Sequence, residues 1–87
     1  MAKLKSLPIV LVDWIDADTA TDGWQGREKV AAETVKTIHS AGFLVSKDKD
    51  RLIVVTDYDP AADNANGGSV IPRGMVKKIT RLGTWKA

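Results

Sequence analysis

The chain predicts a mainly β fold of one domain with one short helix, arranged as a small open barrel of about five strands, and three observations predict it. Gly42 to Asp57, GFLVSKDKDRLIVVTD, holds two apolar runs around one short charged turn, which is the pattern of a β-hairpin. Leu52-Ile53-Val54-Val55 is apolar on both faces, as a strand is when each side is covered. The 87 residues make one domain with a thin core, since a chain of this size removes only about 60–65% of its unfolded surface from water.

Lys3 to Ile15 reads as a first strand, with Ile9, Leu11, Asp13 and Ile15 on one face and Val10, Val12 and Trp14 on the other. Pro8 bends it or holds it at an edge. Asp16 to Gly23, DADTATDG, is a loop of turn formers. Gly26 to Ala32 has helix formers without a β-branched cluster and predicts the short helix. β-Branched residues then crowd Thr34-Val35-Lys36-Thr37-Ile38 and run directly into the hairpin, which predicts a long strand from about Thr34 to Lys47. A longer helix through Ser40, stopped by Gly42, is the competing reading, because Ala31, Val35 and Ile38 share helical spacing. Residues 59–68 read as a flexible loop with an Asn-Gly turn at Asn66-Gly67. Ser69-Val70-Ile71 is a short strand stopped by Pro72, and Arg73-Gly74 turns the chain into a last segment, Met75 to Leu82. That segment is read as a strand, with a marginal helix on Val76, Ile79 and Leu82 as the alternative. Residues 83–87 read as a C-terminal tail.

The net charge of +2 from 13 basic and 11 acidic side chains gives a weak overall field, so any contact with nucleic acid must be local. The longest apolar stretch, Leu7 to Val12, is six residues and carries Pro8, far short of the ~18–20 that span a bilayer. Lys3 and Lys5 ahead of it mimic a secretory leader, but Asp13 cuts the apolar region and no cleavage site follows. The lack of cysteine fits a reducing compartment, and a cytoplasmic location is expected. Close packing, a ligand or self-association must make up for the thin core.

No catalytic constellation stands out, and neither a cofactor nor a metal site is expected. Asp16-Ala17-Asp18-Thr19 matches the DxDxT pattern of phosphotransferases, but that chemistry needs a larger doubly wound scaffold and further carboxylates. As a calcium loop the same stretch lacks the turn glycine, with Thr21 in its place, and has Arg27 where a bidentate Glu belongs. His39 is the single histidine, without a nucleophile placed to use it, and reads as a strand residue facing solvent or a neighbour. Arg73, Lys77, Lys78 and Arg81 make either a basic patch or a solvated edge strand. Trp14, Trp24 and Trp85 read as packing anchors before base-stacking platforms.

The order of elements is that of an SH3-like barrel, and two segments within it resemble the Sm-like family. Gly42-x-Leu44-x3-Asp48, followed by Leu52-Ile53-Val54 and Asp57, is similar to the first signature of that family, and Ile71-Pro72-Arg73-Gly74-Met75-Val76-x2-Ile79 to the second. Together they cover about half the chain. The layout also looks like small phage-encoded members, cyanophage types included. The resemblance implies that Gly42 lets a curved strand bend where the barrel closes and that Gly74 takes a positive φ after Arg73. Arg51 stands nearest the place of the base-contacting Asn of the family, and Lys47 stands where a stacking residue is expected. A non-enzymatic homo-oligomer, a ring closed through strand edges, is implied by the same resemblance. Such a ring binds single-stranded nucleic acid, RNA ahead of DNA, through Lys47, Arg51, Arg73 and Gly74, in the cytoplasm of an infected host cell if phage-encoded. The alternative is a phage interaction or anti-defence protein that binds a host protein or sequesters a small anionic ligand.

Overall fold

The computed structural model describes residues 6–17 and 23–87. Five strands, β1 (Ser6–Asp16), β2 (Lys36–Lys47), β3 (Arg51–Asp59), β4 (Asn64–Pro72) and β5 (Val76–Lys86), form one antiparallel sheet in the order β4-β3-β2-β1-β5. A five-residue helix, α1 (Arg27–Ala31), precedes β2, and a single 3-10 turn, Arg73–Met75, links β4 to β5. The fold is mainly β with the geometry of a small open barrel. The Asp16–Gly23 loop lies mostly outside the described residues, as do the DxDxT and calcium-loop readings of it.

Strand β2 makes the sheet fold over. Its first part, Lys36 to Phe43, pairs with β1, while Phe43 to Lys47 pairs with β3, so Phe43 is the residue shared by both ladders. At the changeover stands Gly42, where a Cβ would overlap the Val55 carbonyl oxygen and lie 3.1 Å from Val54 Cγ1. Only glycine lets β2 pass that close to β3. Just beyond, the ladder shifts register between Leu44 and Ser46, leaving Val45 as an extra, exposed residue. Such a bulge bends the strand and increases its twist. Two more register shifts lie between β1 and β5, at Ile9/Val10 and Asp13/Trp14, so the last strand also curves around the core.

The core confirms the folding over. Val10 and Val12 of β1 pack with Leu52 and Val54 of β3 and Ile71 of β4, although β1 and β3 are not neighbours in the sheet. Trp14, Leu44, Val76 and Ile79 close around this cluster. Val12, Leu52 and Ile71 are 0% exposed, and each contributes about 1.5–3 kcal/mol by leaving water. The face expected to carry Val10, Val12 and Trp14 is therefore the inner one. Leu7, of opposite parity, is buried as well, opposite Trp85 of β5 and outside the main cluster. Pro8 fits because β1 meets β2 only from Ile9 onward, so no β2 partner needs its missing N–H. Leu52, Val54 and Val55 are buried and Ile53 is half-buried, as two covered faces require.

Segment Lys36–Lys47 is strand, which decides between the two readings of that stretch, and the last segment is strand as well. Three expectations are corrected. Residues 59–68 are not one loop: the turn is confined to Pro60–Asp63, and Asn66-Gly67 lies inside β4 opposite Thr56 and Asp57. Side chains around Pro60 decide this. Asp59 Oδ1 accepts from the Ala61 N–H at 3.0 Å, Asp63 takes the left-handed φ of 52°, and the Tyr58 hydroxyl donates to Asp63 Oδ1 at 2.7 Å. Residues 83–87 are not a free tail, because β5 continues to Lys86 by pairing with Ser6 and Leu7. Gly74 sits in the 3-10 turn without a positive φ; the left-handed glycine of β4 is Gly67, at 72°.

Candidate functional site

The hairpin turn between β2 and β3 is built by Asp48. Its Oδ1 accepts from the backbone N–H groups of Asp50 and Arg51, both at 2.8 Å, and its own N–H donates to the Arg51 carbonyl at 3.0 Å. An aspartate that satisfies two backbone donors in this way fixes a tight turn. Those donors, the Arg51 N–H first and the Asp50 N–H second, hold the Asp48 carboxyl below its ordinary range, helped by the positive charges of Arg51 and Arg73.

The same turn anchors the β4 to β5 connection, since the Arg73 N–H donates to the Asp50 carbonyl at 2.9 Å. Arg51 also stands opposite Pro72 in the β3/β4 ladder. Lys47 at the end of β2, Arg51 at the start of β3, and Arg73 and Gly74 in the 3-10 turn thus meet at one end of the barrel. They differ in how they are engaged. Arg51 Nη1 is held by Asp48 Oδ2 at 3.0 Å and Ser46 Oγ at 3.2 Å, while Lys47 is exposed. Among the described residues, Arg73 Nη1 is the buried side-chain nitrogen or oxygen without a hydrogen-bond partner. A buried guanidinium N–H left unpaired costs stability, and an anion reaches it only when the side chain swings outward. Lys77 and Lys78 follow on the edge strand β5, exposed, and Arg81 Nη2 donates to Thr84 Oγ1 at 2.6 Å.

His39 of β2 faces Asp13 of β1 across the ladder, with Nδ1 2.6 Å from Oδ1. Among the described residues, no three His, Cys, Asp or Glu side chains are grouped to hold a metal ion. Trp14 packs on the core and donates from Nε1 to Ser40 Oγ at 3.0 Å, whereas Trp24 is fully exposed.

Sequence reasoning missed a second surface at the opposite end of β3. There Phe43, Tyr58 and Trp85 come together, with ring centroids 6.3 Å apart for the first pair and 5.5 Å apart, edge on, for the second. An open cleft of about 390 Å³ runs beside them. Parity was the available signal, since Tyr58 shares a face of β3 with Leu52 and Val54 and so belongs to the core side.

The fold is a small open β-barrel with Lys47, Arg51 and Arg73 gathered at one end. Compared with protein-family models, with curated proteins and with solved structures, the chain matches none of them.

Proposed function

We propose that this protein is a non-enzymatic binding module of the Sm-like type, a homo-oligomer closed through its strand edges that holds single-stranded nucleic acid, RNA ahead of DNA, at the Lys47–Arg51–Arg73 rim. The observation that carries the reading is the convergence of these cations on one turn, with a buried Arg73 Nη1 that lacks a partner. A phosphate oxygen would meet the exposed Lys47 ammonium and the solvent-facing part of the half-buried Arg73 side chain, and repetition of the rim around a ring would amplify a weak local charge. Gly74 adjoins Arg73 in the 3-10 turn, with open space where its Cβ would be.

Assembly is supported by the two ends of the sheet. Among the described residues, strands β4 and β5 each have one partner strand, and they expose Val70 at 63% and Leu82 at 57%. Edges of this kind pair with another chain unless something covers them. The molecule is also long for its mass, 57 × 22 × 20 Å with a radius of gyration of 17.0 Å, where a compact chain of this length would have about 12 Å. A small anionic ligand in place of nucleic acid is favoured by one feature, the occupation of Arg51 by Asp48, which leaves fewer cations to track a strand.

Fluorescence anisotropy with labelled mixed-sequence RNA and DNA, at low and high salt, tests the reading. Binding at low salt that weakens as salt rises is expected, RNA being the tighter ligand. Arg73→Gln should lower the dependence of log K on log salt by about 1 for each phosphate that the side chain no longer neutralises. No binding of either polymer at low salt overturns it.

A further inference from the structure

The cleft at the far end of β3 exists because β2 leaves. The β2/β3 ladder stops at Phe43↔Val55, where β2 turns to follow β1, while β3 and β4 run on together to Asp59↔Asn64. Thr56 to Asp59 therefore turn a strand edge without a β2 partner toward the gap. Residues 56–59 of β3 border it with Phe43 of β2, whose ring centroid lies 6.3 Å from that of Tyr58, and with residues 64–66 of β4. The cleft, about 390 Å³, has the volume of a small-ligand site.

Its chemistry is of one sign. Two aromatic residues, Phe43 and Tyr58, and two acidic ones, Asp57 and Asp59, line it with Thr56, Asn64, Ala65 and Asn66, and among the described residues no lysine or arginine is in the lining. The Tyr58 ring is fixed, by the hydroxyl bond to Asp63 and by the edge-on contact with Trp85. The Tyr58 phenol pKa is raised by the Asp63 hydrogen bond first, then by desolvation and the charges of Asp63 and Asp59. Aromatic faces attract cations through their quadrupole, and nearby carboxylates add a direct Coulomb attraction. The cationic rim is about 20–25 Å away along β3, so the two surfaces do not cancel.

We infer that the cleft between Phe43 and the β3–β4 hairpin binds an organic cation, an ammonium or guanidinium group carried on a short apolar stem that lies against the Phe43 and Tyr58 rings between Asp57 and Asp59. The ligand is either a free amine of this kind or the side chain of a lysine or arginine in an extended segment, whose backbone would also pair with the open edge at Thr56 to Asp59. This site is separate from the rim and does not depend on what the rim binds.

Titration of the ¹⁵N-labelled full chain tests it with matched probes: choline against its neutral isostere 3,3-dimethylbutan-1-ol, and arginine amide against citrulline amide. The cations should shift the amide resonances of residues 56–59 and 64–66 and saturate with a dissociation constant of about 1 mM, while the neutral partners leave them in place. Asp57→Asn with Asp59→Asn should weaken the cations at least about tenfold with the circular dichroism spectrum unchanged. Acetyl-Gly-Arg-Gly-amide separates the sources. Tighter binding than arginine amide supports the proposal with a chain segment as ligand, and equal binding supports it with a free cation. Equal shifts from neutral and cationic probes, shifts mapping elsewhere, or no saturation by about 20 mM overturn it.

Discussion

Replacing Gly42 by alanine tests how the barrel bends. A methyl at that position would collide with the Val55 carbonyl, whose carbon lies 3.0 Å from the added Cβ. That carbonyl is ladder backbone and cannot swing aside as the end of a flexible side chain can. Strand β2 would have to move off β3 and loosen the Leu44↔Val54 pair beside the core. Overpacking of this kind costs about 1–3 kcal/mol, against which the lost flexibility of the unfolded chain returns about 0.4–1 kcal/mol. The net is a loss of about 1–2 kcal/mol. Gly83 on β5 is the control, because no atom lies within 4 Å of its Cβ position and its φ is not left-handed. There the same change should leave only the gain. With a urea slope of about 1 kcal/mol per molar for a chain of this size, the midpoint of Gly42→Ala should fall by about 1–2 M and that of Gly83→Ala should rise. Both are read at one protein concentration, since assembly makes midpoints concentration-dependent. A Gly42→Ala protein with a midpoint at or above wild type would falsify the close passage of β2 over β3.

Two further outcomes rest on the packing and the turn. Leu52→Ala removes a side chain that is 0% exposed in the cluster with Val12 and Ile71 and should cost about 2–5 kcal/mol by thermal or urea unfolding; a cost no larger than that of a surface substitution would mean that this cluster is not the core. Asp48 is more acidic folded than unfolded, so the stability it supplies is present above its ordinary value of 3.8 and is lost as pH falls through the lower folded value. Asp48→Asn should therefore be the less stable protein at neutral pH, with midpoints converging in acid, and a gap that stays constant down to about pH 2 would exclude this role.

The hairpin was legible because its two apolar runs flank a turn whose chemistry resides in one residue, Asp48, and because Gly42 marks the bend. The β3–β4 turn was not. Asn66-Gly67 carries the stronger local signal, but the turn forms at Pro60–Asp63 through side-chain bonds of Asp59 and Tyr58 that local propensity does not weigh. The length of β5 depends on pairing with Ser6 and Leu7 at the other end of the chain, a long-range term with no local trace. The grouping of Lys47, Arg51 and Arg73 was expected only from the resemblance to the Sm-like family; within the chain it rests on Arg51 standing opposite Pro72, and the hold of Asp48 on Arg51 has no signal in local propensity. Phe43, Tyr58 and Trp85 lie far apart in sequence and meet only because β2 bends away from β3.

Sedimentation velocity with fluorescence detection, on the protein mixed with a labelled single-stranded RNA at low salt, tests edge-closed assembly and rim binding together. The account predicts that the label moves with one discrete particle of several subunits and returns to the free-RNA position at high salt. A folded monomer at micromolar concentration, with the RNA sedimenting alone, would contradict it.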